Sequence, residues 1–170
     1  MIDIADVKKL SDHQRLLEFA DFVISKCDGA ALPDYTRMDL MEIHRVVPHI
    51  FVFDVLKSTD HLVMKYCGTV IDQFYGTNMV GRAPYAMFEG KGEYTQVEHN
   101  YWHAIKSRNV AYARRSVHYA NSVSEKYKIA ESMLFPCSSD GETVNYALGF
   151  ADYYPVKGPI KRLVTQIARG

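Results

Sequence analysis

Two glycines and an arginine at residues 76–82 form the first pattern in the sequence that could do chemistry. Gly76, Gly81 and Arg82 follow the spacing Gly-x-x-x-x-Gly-Arg, one conservative step from the start of a phosphate-binding loop. Such a loop joins a buried strand to a helix whose N-terminus faces the phosphates. The residues before Gly76 have no strand pattern, and neither lysine nor Ser/Thr follows Gly81. We therefore predict turns between short helices, with Arg82 tying this helical cover to backbone carbonyls or a carboxylate.

A second candidate is the pair His99 and His103 on a predicted helix. Residues four apart on a helix share a face, and an imidazole can supply an axial ligand to haem iron. Zinc at the same pair would need at least one more ligand, and Glu98 points to another part of the helix. The alternative is that both histidines are exposed or satisfied polar residues. Because such pairs arise easily, haem stays an alternative and no metal site is predicted.

A third candidate is a carboxylate in an apolar strand. Alternation puts Glu131 on the same face as Met133 and Phe135. If that face is buried, the carboxylate needs a partner such as Arg114 or Arg115 across a hairpin. A structural ion pair or simple exposure is favoured over catalysis, and no nucleophile with a base can be read from the sequence. No catalytic residue is predicted, and the chain is interpreted as non-enzymatic.

The composition narrows the classes of function. The 170 residues suit one domain, and 20 basic residues balance 20 acidic ones, so nucleic-acid binding is not expected. Three widely spaced cysteines, Cys27, Cys67 and Cys137, form no metal or disulfide motif and are predicted to be buried, reduced thiols. The start lacks a secretory signal, and no run reaches the roughly 18 apolar residues of a membrane span. These features predict a cytoplasmic protein.

The elements that must position these residues begin with a helix over residues 11–27. Ser11 followed by Gln14 is a capping-box pattern that marks its start. An apolar stripe then recurs at helical spacing and must be covered by the core or by a partner. Its members are the candidate interface residues Leu16, Leu17, Ala20, Val23 and Ile24. A second short helix is predicted over residues 38–46, before Pro48.

The remaining elements have the lengths and turn signals of a small α+β domain. The Asp140-Gly141 pair is a strong hairpin signal, because glycine accepts the positive φ that such turns need. In chain order the predicted elements are strands 50–56 and 61–67, short helices within 69–92, a longer helix 93–107, strands 109–120, 126–138 and 142–154, and a short terminal helix 160–168.

This order, with several short motifs along it, resembles a PAS domain, and most closely a bacterial family of short stand-alone PAS proteins. The motifs cover roughly residues 30–155 and are Leu32-Pro33, residues 47–55, 66–71, 75–82 and 133–141, and Leu148-Gly149. The resemblance implies an α+β fold with a five-stranded antiparallel sheet, covered by helices on one face. It also implies a PAS core over 47–156, an N-terminal helical extension over 1–46 outside that core, packing on it or on a dimer partner, and a short tail over 157–170.

The resemblance further implies a cavity between sheet and helices, which in different PAS domains holds haem, flavin, small acids or nothing. In flavin photosensors of this fold a cysteine follows a Gly-x-Asn, whereas here Met79 follows Asn78, so no photochemical adduct is expected. No cofactor is predicted. The alternative to a cavity is that the aromatic side chains fill the core. The candidate lining residues are Tyr66, Phe74, His99, Trp102, His103, Tyr119, Met133, Phe135, Tyr146 and Phe150.

The leading hypothesis is a non-catalytic cytoplasmic PAS module in bacterial signalling. It would form a homodimer, contact an unidentified signalling protein, and could bind a small ligand in the cavity. One alternative is a haem- or metabolite-binding sensor. Another is a small cone-shaped α+β enzyme of the NTF2 or ketosteroid-isomerase type, in which helices lead into a long curved sheet. A hairpin of residues 49–67 at the centre of the sheet would argue against that enzyme.

Overall fold

The computed structural model describes residues 2–27, 29–30, 32–88, 92–117 and 129–168. The α-helices are α1 (Ile4–Lys8), α2 (Gln14–Ser25), α3 (Thr69–Tyr75) and α4 (Gly92–Ser107). Short 3-10 helices occupy Tyr35–Arg37, Leu40–Ile43, Val47–His49 and Pro84–Phe88. The strands are β1 (Ile50–Asp54), β2 (Val63–Cys67), β3 (Val110–Ser116), β4 (Ile129–Cys137), β5 (Tyr146–Tyr154) and β6 (Leu163–Ile167).

One antiparallel sheet contains all six strands, in the order β2-β1-β5-β4-β3-β6. The predicted α+β class is confirmed, but the sheet has six strands and not five. The extra strand is β6, in the segment 160–168 that was wrongly predicted as a short terminal helix. Five residues are too few for periodicity to separate a helix from a strand, and pairing with β3 decides the outcome.

The sheet is buried on both faces. We call the face against α3, α4 and residues 84–88 the inner face, and the face against α1 and α2 the outer face. Strand residues of both parities are apolar, so neither face can be left to water. The prediction that helices cover only one face of the sheet was therefore incomplete, because α1 and α2 cover the other face. The inner face carries Phe51, Phe53, Ala113, Leu134, Ala151 and Tyr153. The outer face carries Ile50, Val52, Tyr112, Met133, Phe135 and Phe150.

Helix α2 confirms the predicted N-terminal helix but not its start. The N-cap is His13, whose Nδ1 accepts a hydrogen bond from the Leu16 N–H. Ser11 does not form the predicted capping box, because its hydroxyl donates to the buried carboxylate of Glu131. The predicted helix over 38–46 is a 3-10 helix, Leu40–Ile43, followed by turns.

Residues 75–82 are turns that close one edge of the sheet. Helix α3 ends at Gly76, which has the left-handed φ of 72° that favours glycine. The Gly81 N–H donates to the Met64 carbonyl, and the Met64 N–H donates to the Arg82 carbonyl, both at 2.8 Å. This segment therefore covers part of the edge of β2, the first strand of the sheet. Arg82 makes this contact through its backbone carbonyl. A phosphate-binding loop does not fit, since Gly76 ends a helix instead of leading into one.

Replacing Gly149 with alanine is expected to lower the free energy of unfolding by about 1–3 kcal/mol, the usual cost of overpacking a core. A Cβ at this position would lie 2.1 Å from Cζ of Phe51, the residue opposite it on β1. Urea unfolding measures the loss. The double variant Phe51→Leu/Gly149→Ala should lose less than the two single variants combined, and fully additive losses would show that this contact is not the cause.

Candidate functional site

A small cavity lies between the inner face and its helical cover. Its volume is about 20 Å³, room for roughly one water molecule. Half of the lining residues are apolar, including Phe51, Phe53, Met64 and Ile71. The lining residues with polar groups are Tyr75, Tyr85, Tyr101, Arg115, Glu131, Ser132 and Tyr153.

Arg115 is the cationic residue in this wall. Alternation along β3 points Arg115 inward and Arg114 outward, and Arg115 is only 5% exposed. Its guanidinium carbon lies 4.6 Å from the centre of the Tyr94 ring, a cation–π contact with α4. Glu131 also borders the cavity, but its carboxylate binds hydroxyl groups on the outer face. Arg115 therefore places a cationic side chain in the inner-face wall of the cavity.

Hydroxyl groups complete the polar part of the wall. The Tyr101 hydroxyl donates to Oγ of Ser132 at 2.6 Å. Burial raises the pKa of Tyr101, although the charge of Arg115 acts to lower it. Tyr101 is consequently a neutral donor near neutral pH. A guanidinium and neutral hydroxyls can bind and orient a ligand, and they include no general base.

The structure separates the predicted cavity-lining residues onto two faces of the sheet. Phe74 and Trp102 belong to the inner-face packing, where the Phe74 ring stacks on Tyr153 at 3.6 Å. Tyr119 lies outside the described residues. Neither Phe74 nor Trp102 is among the residues that line the cavity. Five more of the predicted residues pack on the outer face and cannot line it: Tyr66, Met133, Phe135, Tyr146 and Phe150. Sequence composition does not reveal this division, because it depends on which face of each strand meets which helix.

His99 and His103 lie on the exposed side of α4. Nδ1 of His103 is 2.8 Å from Oε1 of Gln166 on β6, and the residues of α4 that point inward include Tyr94 and Tyr101. Neither imidazole can therefore reach an iron atom in the cavity. Within the part of the chain that the structure describes, no group of three or more His, Cys, Asp or Glu residues is placed to hold a metal ion.

The three cysteines are buried and form no disulfide, as predicted. Burial raises the pKa of the Cys67 thiol, and the neighbouring carboxylate of Asp72 raises it further. A thiol held in its protonated form is a poor nucleophile. Cys67 is thus a packing residue.

A polar cluster on the outer face joins the N-terminal segment to the sheet. Glu131 is only 2% exposed and accepts hydrogen bonds from Ser11, from Tyr112 at 2.8 Å and from Tyr154 at 2.5 Å. Arg114, a predicted partner of Glu131, is linked to it through Tyr154, since Nε of Arg114 donates to the Tyr154 hydroxyl at 3.3 Å. Burial and the hydrogen bond to Glu131 raise the pKa of Tyr154 to about 12. Hydrogen bonds from these three hydroxyls therefore take the place of the ion pair between Glu131 and an arginine that the sequence suggested.

Asp152 forms the second part of this cluster. Nε2 of His13 lies 2.9 Å from its Oδ2, and Nδ1 of His49 lies 3.3 Å from its Oδ1. Burial acts to raise the pKa of Asp152, but the interactions with His13 and His49 outweigh it and hold that pKa well below its usual range. Asp152 is the cross-strand partner of Glu131, so strand pairing could have placed the two carboxylates together. Nothing in the sequence pattern indicated that histidines from the N-terminal half would meet them.

The chemistry of this outer-face cluster suits holding the N-terminal segment on the sheet. The Ser11 hydroxyl donates to a carboxylate and not to an imidazole, so it is not activated as a nucleophile. Both carboxylates are occupied by groups that precede β1 in the chain, namely Ser11, His13 and His49. The cluster fixes α1 and α2 on the outer face.

Replacing Asp152 with asparagine is expected to lower the free energy of unfolding at neutral pH by about 1–3 kcal/mol, because His13 loses its charged partner and His49 loses the carboxylate beside it. A carboxyl group whose pKa is lowered in the folded state stabilises the fold above its unfolded pKa of about 3.9, and that contribution fades as pH falls further. The difference between wild type and variant in urea unfolding should therefore shrink below about pH 4.

Asp60→Asn, at an exposed turn residue, is the control and should change stability little at any pH. His13 is protonated as pH falls from neutral toward about 5. Burial acts to lower the pKa of His13, but Asp152 outweighs burial and raises it, so the wild-type advantage is expected to grow over that range. A wild-type advantage that continued to grow below about pH 4 would contradict the assignment.

Among the described residues, no helix combines the length and apolar character that a membrane crossing needs. Comparison of the chain with models of protein families, with curated proteins and with solved structures finds no match in any of the three.

Proposed function

We propose that the chain is a non-catalytic sensory module of the PAS type, which takes a small ligand in the inner-face cavity and signals through contact with another protein. The order of elements supports the PAS assignment. A hairpin comes first, then short helices and the long helix α4, then three consecutive antiparallel strands. The structure adds that α3, residues 84–88 and α4 all pack on the same face of the sheet.

The observation that carries the ligand proposal is the cavity itself. It lies where three separate helical segments meet the sheet, and its wall combines a buried guanidinium with hydroxyls. A ligand there would contact both the sheet and its cover. Binding could therefore shift the helices relative to the sheet, which is how a signal would reach the surface.

The chemistry of the wall supports a binding role over catalysis. Its described polar side chains are the Arg115 guanidinium, hydroxyls and the Glu131 carboxylate, which already accepts hydrogen bonds on the outer face. Glu98 of α4 accepts bonds from His61 Nδ1 and the Leu62 N–H, both at 2.7 Å. The β1–β2 hairpin lies at one end of the sheet and not at its centre, so its position does not decide against the cone-shaped enzyme. In the order of the chain, α3 and α4 come between the hairpin and the last strands, which favours the sensory module over the enzyme.

Protein contact through α2 is restricted by the way this helix packs. Leu16, Ala20 and Val23 are fully buried in the outer-face core, whereas Leu17 and Ile24 are half-buried. Three of the five predicted interface residues are thus covered by the chain's own sheet. A partner would use the exposed margin of the stripe, or would bind after the N-terminal segment leaves the sheet.

Homodimerisation is tested by multi-angle light scattering of the purified chain at tens of micromolar. The expected mass is that of two chains, falling toward one chain on dilution. A single-chain mass across the whole range would remove self-association from the proposal.

The visible absorption spectrum of freshly purified protein tests the cofactor alternative. We expect no absorption band above the near-ultraviolet, because the cavity has room for roughly one water molecule and His99 and His103 lie outside it. A Soret band that disappears in a His99→Ala/His103→Ala variant would instead establish the haem-binding sensor.

A further inference from the structure

The two edge strands of the sheet, β2 and β6, differ in how they are covered. On β2, the backbone of Met64 pairs with the Gly81 N–H and the Arg82 carbonyl, and the neighbouring Lys65 is exposed. A covering loop and an exposed lysine are two of the ways in which proteins keep an edge strand from pairing with another chain. The edge at β2 is therefore protected.

The edge at β6 lacks both kinds of protection within the part of the chain that the structure describes. No described strand or loop makes backbone hydrogen bonds on the side of β6 that faces away from β3, which we call the open edge. The strand residues, Leu163–Ile167, include no charged side chain and no proline, and their register with β3 has no bulge. An edge of this kind is a template for pairing with another strand.

A contact with α4 shows which backbone groups point to the open edge. Nδ2 of Asn100 donates to the Thr165 carbonyl at 3.1 Å and to the carbonyl of Tyr112, the partner of Thr165 on β3, at 3.5 Å. One donor can reach both carbonyls only if they point toward each other across the pair. Backbone groups alternate in direction along a strand, so those of Val164 and Gln166 point to the open edge.

The side chains of β6 are also incompletely covered. Leu163 and Ile167 pack at the margin of the outer-face core, and Val164 packs at the margin of the inner-face core. Every residue of β6 is half-buried, whereas β4 and β5 are buried along almost their whole length. A strand laid along the open edge would therefore bury apolar surface in addition to pairing backbone groups.

We propose that two copies of the chain pair through their open β6 edges in antiparallel orientation, so that one continuous sheet runs through both. The proposal rests on the homodimer in the proposed function and names its interface.

A second copy of β6 fits this edge because the strand is complementary to itself. With a two-fold axis at Thr165, the backbone groups of Val164 meet those of the partner's Gln166, and Leu163 lies opposite the partner's Ile167. Apolar and threonine pairs across strands stabilise a sheet, and no like charges within the strand come opposite each other.

The symmetry of this pairing also closes the assembly. Both copies use the same edge, so a two-fold dimer leaves no second β6 edge for a further chain. Pairing of β6 with β2 of another copy would continue from chain to chain, and the loop contact at Met64 opposes it. A dimer through β6 further leaves the N-terminal helices on the outer face, where Leu16, Ala20 and Val23 are buried.

The experiment measures molar mass by light scattering for Thr165→Lys and Thr165→Glu over a range of concentrations. Each variant should raise the dissociation constant of the dimer about tenfold or more, because it places like charges opposite each other at the axis. An equimolar mixture of the two variants brings opposite charges together and should recover the two-chain mass. Recovery would also show that both variants are folded.

Thr59→Lys and Thr59→Glu make the same changes at an exposed residue between β1 and β2, and both should keep the wild-type mass. Leu17→Glu, on the half-buried margin of α2, tests the competing interface and should leave the dimer intact. Wild-type association in both Thr165 variants, with loss of the dimer in Leu17→Glu, would overturn the proposal.

Hydrogen exchange of the wild-type protein tests the same interface without a substitution. The amides of Val164 and Gln166 should exchange about tenfold or more slower in the dimer than after dilution to single chains, since hydrogen bonds to the partner protect them. Equal exchange at both concentrations would overturn the proposal.

The outcomes separate this interface from the proposed function. A wild-type dimer that charges at residue 165 do not weaken leaves the homodimer standing and removes only the β6 interface. A single-chain mass of the wild type at every concentration removes the homodimer and its interface together, and leaves the cavity proposal unchanged.

Discussion

The alternation of side chains along β3, β4 and β5 is the constraint on which the rest of the structure depends. Successive residues of a strand face opposite sides, so Arg115 points to the inner face while Arg114, Glu131 and Asp152 point to the outer face. A sheet covered on both faces therefore places different polar groups under its two sets of helices. Arg115 lies under α4, and Glu131 and Asp152 lie under the N-terminal helices with Arg114 nearby. A shift of register by one residue would exchange the two sets and leave both covers without their polar contacts.

The helices on the two faces are held to the sheet in different ways, and this difference fits the proposed sensory role. On the outer face, Glu131 and Asp152 each bind groups from the N-terminal half of the chain, and Phe19 packs 5.9 Å from the rings of both Phe135 and Phe150. That cover combines apolar contacts with a buried polar cluster. On the inner face, α4 packs through Tyr94, Val97 and Tyr101 around a gap lined by a guanidinium. The inner cover is therefore the part whose packing a small ligand could change.

Much of the fold could be predicted from the sequence, because the strong patterns are local. The stripe of α2, the β1–β2 hairpin, α4 and the three long strands were predicted to within a few residues at most ends. The errors come from contacts distant in the chain. Ser11 matches a capping box but is taken by Glu131, 120 positions away. Residues 163–167 are too short for a clear period and become a strand because β3 offers an edge. The predicted cavity residues were chosen by type, and residue type does not show on which face of the sheet a side chain lies.

The proposed sensory role depends most on a small ligand occupying the inner-face cavity between the sheet and its helices. A crystal structure of the freshly purified wild-type protein would test this most directly, because a bound ligand would leave electron density in the cavity. The expected result is density that the protein chain does not account for, in contact with both the sheet and α4. A cavity filled only by water or by a shifted side chain would contradict the proposal.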